Sequence, residues 1–194
     1  MRCFAAAGAL LLVLVACGSS DSSSKSTATT TNSASSAPSS SSASTTSPAA
    51  TGSATTPVSV APTHPTAHLV SVRSARQETL DRVVFEFSDQ VPGYRVSYAE
   101  KPVRGTSGQE VPLAENFVLE FHMEQASGFN QDTGQPTYTG PKNVQPAGTR
   151  AVGELKQVED FEAVLTWVAG LKAKVPFRVS TLTSPPRLVI DLPS

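Results

Sequence analysis

The chain has 194 residues, with 15 lysines and arginines against 16 aspartates and glutamates, and a formal net charge of −1. This balance lacks the basic excess of nucleic-acid-binding proteins, so we expect no nucleic-acid partner. The two cysteines, Cys3 and Cys17, lie near the amino terminus, which excludes a disulfide, a cysteine nucleophile and a thiolate metal site from the remainder of the chain.

The amino terminus has the pattern of an export signal. Arg2 precedes thirteen uncharged, mostly apolar residues at positions 4–16. This run is shorter than the roughly twenty residues of a transmembrane helix and matches the apolar region of a secretory signal. The sequence LVAC ending at Cys17 resembles a bacterial lipobox. We therefore predict a lipoprotein signal peptide at 1–16 and a lipid anchor on Cys17, holding the protein at the extracytoplasmic face of the cell membrane. The alternative is a plain signal peptide cut near Ala16.

Residues 18–66 have the composition of a flexible linker. These 49 residues include 17 serines and 11 threonines, with Asp21 and Lys25 as the only charges and no aromatic residue. Such a segment cannot bury enough apolar surface to offset its conformational entropy. We predict that 17–66 comprises the lipidated cysteine and a disordered tether, about 40 Å long when relaxed and about 160 Å when stretched. Its Ser/Thr-rich composition also suits O-glycosylation.

The remaining residues, 67–194, are predicted to form one all-β domain. Short segments rich in β-branched and aromatic residues alternate with turn residues, which predicts a two-sheet β-sandwich of seven or eight mostly antiparallel strands. The predicted strands are 68–75, 81–88, 93–99, 116–123, 151–160, 161–171, 176–182 and 187–192. The side chains expected to face inward are those of Val83, Phe85, Phe87, Leu188 and Ile190.

Two segments are less regular. The apolar residues of 158–171 fit either a helix or a strand period, and the β-branched residues favour a strand. Residues 124–148 contain several glycines and prolines and form a connection longer than compact domains usually have, which indicates a functional or mobile segment.

Two of the strands carry the same charge pattern, Arg-x-Val-x-acid. Arg82 and Glu86 occupy it in the first, and Arg187 and Asp191 in the last. An antiparallel pairing would place Arg82 opposite Asp191 and Arg187 opposite Glu86, whereas a parallel pairing would align like charges. We therefore predict that the two strands are antiparallel neighbours and that these four charges mark the fold rather than a binding site.

The order of these motifs also resembles a known family. The sequences HLVSVRSA at 68–75 and DRVVFEF at 81–87, with PPRLVIDL at 185–192, resemble the AMIN domain, and the longer spacing is closer to the AMIN-like domain of actinobacterial lipoproteins. The resemblance covers 68–193. It implies a two-sheet sandwich that binds peptidoglycan or envelope partners and localises other machinery without catalysis.

The side chains of the domain agree with a binding role. Its only histidines are His68 and His122, and it lacks the Gly-x-Ser-x-Gly, His-Glu-x-x-His and phosphate-loop motifs of common enzymes. We therefore expect no enzyme activity, metal or cofactor. Aromatic rings stack on sugars and arginine pairs with carboxylates. These preferences give a candidate ligand surface of Tyr94, Arg95, Tyr98 and Tyr138. The alternative for Tyr94 and Tyr98, which share one strand face, is simple packing.

Three functions remain open at this point. The first is a membrane-anchored envelope lipoprotein that binds cell-wall peptidoglycan. The second is a protein-interaction adaptor that holds an envelope protein at the cell surface. The third is a small-ligand carrier or an enzyme, which would require a deep pocket.

Overall fold

The structure, a computed structural model, describes residues 51–62 and 65–194. The predicted signal peptide, Cys17 and the linker as far as residue 50 lie outside the described residues. Within the described residues the strands are β1 (Thr51–Ala54), β2 (Val58–Val60), β3 (Ala67–Gln77), β4 (Leu80–Phe87), β5 (Gly93–Ala99), β6 (Val103–Arg104), β7 (Glu110–Val111), β8 (Phe117–Glu124), β9 (Ala126–Ser127), β10 (Phe129–Asn130), β11 (Gln135–Pro136), β12 (Asn143–Val144), β13 (Val152–Phe161), β14 (Val164–Leu171), β15 (Phe177–Thr183) and β16 (Pro186–Pro193).

Two six-stranded sheets enclose the main core. Sheet A has the order β1-β15-β16-β4-β3-β9, and sheet B has the order β12-β13-β14-β8-β5-β2. Phe85 of sheet A contacts two aromatic rings of sheet B, with centroid distances of 5.1 Å to Phe121 and 6.1 Å to Trp167. The sheets therefore pack face to face, which confirms the predicted all-β sandwich.

The inward-facing side chains are those that the alternating pattern predicted. In β4, Val83, Phe85 and Phe87 are buried, whereas the residues between them are partly exposed. Leu188 and Ile190 of β16 are also buried. Burying a side chain of this size contributes about 1.5–3 kcal/mol, so these residues are major contributors to the stability of the sandwich.

The predicted pairing of the first and last charged strands is confirmed. β16 lies antiparallel to β4, with Arg82 opposite Asp191, Glu86 opposite Arg187 and a valine pair between them. This register therefore buries the apolar residues of both strands on the inner face and pairs their opposite charges on the outer face.

The prediction of strands for 158–171 is also confirmed. β13 and β14 form an antiparallel hairpin, with a turn at Glu162 and Ala163 whose φ angles are 51° and 59°. Two positive φ values match the tight turns that suit the twist of a β-hairpin. The helix alternative fails because β14 pairs on both sides, with β13 and with β8.

Residues 100–116 cover part of the outer face of sheet B, a layer that the sequence did not predict. Val103 and Leu113 from this segment pack on Val118 and Val168 in a second small core. Glu154 anchors the layer, because its carboxylate accepts hydrogen bonds from the backbone N–H of Ala114 at 2.6 Å and pairs with the Lys156 ammonium at 2.9 Å.

Two strands precede residue 67, the start of the predicted domain, and pair with its sheets. β1 pairs with β15 at the edge of sheet A, and β2 pairs with β5 at the edge of sheet B. We call residues 51–62 the N-terminal strap. The composition of 18–66, taken as a whole, hid the short alternating stretch Val58-Ser59-Val60. This stretch forms a strand because β5 supplies its partner, and Val58 packs on the main core.

The long segment at 124–148 is attached to the sandwich. The Asp160 carboxylate accepts hydrogen bonds from Ser127 Oγ at 2.8 Å and Gly128 N at 2.9 Å. Tyr138 stands edge-on to Trp167, with a centroid distance of 5.7 Å. Over residues 51–62 and 65–194, the structure contains no helix long and apolar enough to cross a membrane.

Candidate functional site

The outer face of sheet A carries a cluster of arginines around a small apolar strip. The alternation of β3, β4, β15 and β16 directs one set of side chains to this face, and neighbouring strands bring them into rows. The face contains four arginines and two carboxylates, a local net charge of +2 in a domain with 13 basic and 15 acidic residues at 67–194. We call it the arginine face: Arg73, Arg82, Arg178, Arg187, Glu86, Asp191, Val84, Val189 and Leu182.

The two carboxylates orient the arginines. Arg82 makes two hydrogen bonds to Asp191, from Nε at 2.6 Å and from one Nη at 2.8 Å. Glu86 lies between Arg73, at 2.7 Å, and Arg187, at 4.0 Å. The hydrogen bond to Asp191 raises the pKa of Arg82, although burial opposes it. Asp191 thus fixes the direction of the Arg82 guanidinium, and Glu86 contacts Arg73 closely and Arg187 more loosely.

Within the described residues, this face has guanidinium donors left for an anion. A guanidinium has five N–H donors, and in the described residues Arg82 uses only Nε and one Nη for Asp191. Arg178 lies opposite Asp191 on the neighbouring strand and is exposed. A shallow groove of about 230 Å³ runs along the apolar strip between Arg73, Arg82 and Arg187. Its chemistry suits a ligand with carboxylates and short apolar groups.

The residues of the predicted ligand surface are distributed differently. Tyr94 is buried, and Tyr98 and Tyr138 are half-buried against the main core. The hydroxyl of Tyr98 donates to the carbonyl of Val175 at 2.6 Å, and burial raises the pKa of Tyr98. Arg95 is the exposed member of the four. The contacts of the tyrosines thus match the packing alternative.

Sequence reasoning missed the arginine face as a unit, although half of it was identified. Arg82 and Arg187 were recognised through their strand pattern, but Arg73 and Arg178 carry no motif of their own. Arg73 lies opposite Val84 in the regular part of the β3–β4 pair, and from there its side chain reaches the diagonal Glu86 at 2.7 Å. The sequence signal for Arg73 was its position in β3, where the alternation of the strand directs its side chain outward.

A buried carboxylate connects the two sheets. Asp81, at the start of β4, is fully buried, and its Oδ2 accepts hydrogen bonds from the backbone N–H groups of Arg150, Ala151 and Val152 at 2.8, 2.6 and 3.0 Å. These donors lead into β13 of sheet B. The contact is structural, because Asp81 faces backbone on the inner side of the sheet.

Each of the two histidines at 65–194 contacts a polar side chain. His68 Nδ1 lies 3.0 Å from Asp89, and His122 Nδ1 lies 3.2 Å from Thr166 Oγ1. Residues 51–62 and 65–194 contain no group of three or more His, Cys, Asp or Glu side chains placed to hold a metal ion.

Comparison with known proteins agrees with the resemblance seen in the sequence. The family model of the AMIN-like domain matches residues 67–194. A search of curated proteins and a search of solved structures gave no significant match. The matched region contains β3 to β16 and the whole arginine face, and the strap precedes it. Because the match covers well over half of the chain, this protein belongs to the AMIN-like domain family.

Proposed function

We propose that this protein is a membrane-anchored envelope lipoprotein whose AMIN-like domain binds peptidoglycan through the arginine face, in a localising and non-catalytic role. The AMIN-like domain suggests a peptidoglycan- or envelope-binding role. The observation that supports the arginine face as the binding surface is its set of partly exposed guanidinium groups on the outer face of sheet A, some of them oriented by Glu86 and Asp191. Stem peptides of peptidoglycan present carboxylates, which arginine binds with two parallel hydrogen bonds.

The residues of the face divide between two roles. Arg82 and Asp191 hold the register of β4 and β16, as their paired geometry indicates. Arg73 and Arg178 are exposed, and Arg187 makes a longer contact of 4.0 Å to Glu86. We assign ligand binding to Arg73, Arg178 and Arg187, because these three can turn toward a ligand without breaking the Arg82 pair.

Sedimentation with purified sacculi tests this function. A variant of the full-length protein with Arg73→Gln, Arg178→Gln and Arg187→Gln should lose roughly tenfold or more in binding, since each hydrogen bond to a charged group is worth about 1.5–3 kcal/mol. The matched control removes three exposed positive charges elsewhere, by Arg104→Gln, Lys142→Gln and Lys172→Gln.

The control separates a specific site from general attraction to an anionic wall. Equal losses in the two triple variants would reject the arginine face while leaving wall binding intact. If the unmodified protein did not sediment above a β-sandwich control, direct wall binding would be rejected, and the adaptor function would take its place.

The anchor is tested separately. Cys17→Ala should remove a lipid-sized mass from the protein, as measured by mass spectrometry, and should shift the protein from the membrane to the soluble fraction. An unchanged mass and unchanged fractionation would contradict the lipoprotein assignment.

A further inference from the structure

A second groove, away from the arginine face, lies where the strap meets sheet B. It has a volume of about 360 Å³. One wall comes from the strap and the other from β5 and β8, which pair with each other in sheet B. The residues that line it include Ser59, Val60 and Ala61 of the strap and Arg95, His122 and Glu124 of the sheet.

The groove contains two opposite charges that do not neutralise each other. The ion-paired arginines of the described residues are Arg73, Arg82, Arg104 and Arg187, which leaves Arg95 without a carboxylate partner. Glu124 is 55% exposed, and its nearest charged or titratable neighbour among the ion pairs is His122 Nε2 at 3.8 Å. Both groups are therefore available to a ligand.

The strand register sets the spacing of these charges. Arg95 lies opposite His122, and Glu124 is two residues further along β8 and opposite Gly93. Diagonal neighbours of this kind have Cα atoms roughly 7–8 Å apart. Two long side chains on such positions can reach the two ends of a small zwitterion. His122 is oriented between them by its contact with Thr166 Oγ1 at 3.2 Å.

The two charges select the ligand. Arg95 and Glu124 lie on the same face of sheet B, whereas Val60 pairs with the inward-facing Tyr94. A ligand carrying an ammonium and a carboxylate on one carbon would satisfy Glu124 and Arg95 together. A purely anionic ligand would leave Glu124 opposed by like charge, and a purely cationic one would do the same for Arg95.

We propose that this groove binds the free α-amino-acid end of a wall peptide, with Arg95 on its carboxylate and Glu124 on its ammonium. The identity of the ligand as a wall peptide rests on the proposed function, whereas the zwitterion chemistry rests on the groove itself. Because the strap supplies one wall, the strap is part of this site.

Three probes of related structure test the charge requirement on the full-length protein in detergent. meso-Diaminopimelate has two α-amino-acid ends, pimelate lacks the ammonium groups, and cadaverine lacks the carboxylates. By NMR titration, we expect meso-diaminopimelate to bind at least roughly tenfold more tightly than either other compound, because each of them loses a charge-assisted hydrogen bond.

Variants assign the two charges. Arg95→Gln and Glu124→Gln should each weaken meso-diaminopimelate binding by roughly tenfold or more, whereas Arg104→Gln, an exposed arginine on β6, should leave it unchanged. Thermal unfolding followed by the fluorescence of Trp167 verifies that each variant is folded. Equal binding of all three compounds, no binding of meso-diaminopimelate, or unchanged binding in Arg95→Gln and Glu124→Gln would overturn the proposal.

The experiment also separates this proposal from the proposed function. Sacculus sedimentation without binding of meso-diaminopimelate would reject the groove and retain wall binding. Binding of meso-diaminopimelate without sedimentation would retain the zwitterion site and reject the wall as its source.

Discussion

Gly93 offers a direct test of whether the strap belongs to the folded domain. A Cβ added at this position would lie 2.5 Å from Cδ and 2.8 Å from Cα of Pro62, and closer still to its backbone N. Since these atoms belong to a proline and its backbone, no side-chain rotation can relieve the clash. Gly93→Ala should therefore destabilise a protein comprising residues 51–194 by about 1–3 kcal/mol, the usual cost of overpacking.

The same substitution should behave differently without the strap. In residues 67–194 the space beside Gly93 is free of Pro62, and Gly93 does not have a positive φ angle. Alanine there should be neutral, or should stabilise by about 0.4–1 kcal/mol through the unfolded state. The stability lost by Gly93→Ala in the longer protein cannot exceed the stability that the strap contributes. If the clash were larger, the strap would detach, and the rest of the domain would behave like the shorter protein.

Urea unfolding of the four proteins, followed by the fluorescence of Trp167, measures this cycle. The stability difference between 51–194 and 67–194 with Gly93 present gives the contribution of the strap. An equal effect of Gly93→Ala in both lengths would refute the docking of Pro62 on Gly93, and no stability difference between the two lengths would refute a stabilising strap.

Three further predictions concern the packing of the domain. Asp81→Ala leaves three N–H groups, two of them buried, without an acceptor and should cost about 3–5 kcal/mol in urea unfolding, whereas Asp81→Asn, which keeps one acceptor oxygen, should cost less. Burial raises the pKa of Glu154, but hydrogen bonds from Lys156 and Ala114 lower it below its usual value of 4.5. The carboxylate of Glu154 should thus stabilise the fold above pH 4.5, with loss of this contribution as the pH falls through the lowered pKa, and Glu154→Gln should reduce this acid dependence. Ending the chain after Pro186 removes four buried side chains of β16, which should abolish cooperative thermal unfolding; a retained transition would contradict the closing role of β16.

The parts of the fold that the sequence predicted are those with local and redundant signals. β4 and β16 each alternate apolar and polar residues, and their charges select the same antiparallel register, so two independent constraints agree. The spacing of apolar residues at 158–171 fits a helix or a strand, and the β-branched residues there favoured the strand.

The missed parts depend on partners distant in the chain. The three residues of β2 form a strand only beside β5, and Gly93 accommodates the strap because a Cβ there would meet Pro62. The layer at 100–116 rests on two buried residues, Val103 and Leu113, which lie outside the long alternating segments of the sequence. Tyr94 and Tyr98 share the face of the buried Val96, and this parity was the local signal for packing rather than binding.

Core residues contribute much more to folding stability than the surface ion pairs, so the binding residues of the arginine face can be replaced and tested. Partly exposed ion pairs such as Arg73 with Glu86 contribute about 0–1 kcal/mol each, whereas removing a buried aromatic side chain such as Phe85 costs about 3–5 kcal/mol. The arginines of the face therefore contribute little to folding, and replacing Arg73, Arg178 and Arg187 should change binding without unfolding the sandwich. If the triple variant unfolded instead, the arginine face would be a structural network, and the assignment of wall binding to it would fail.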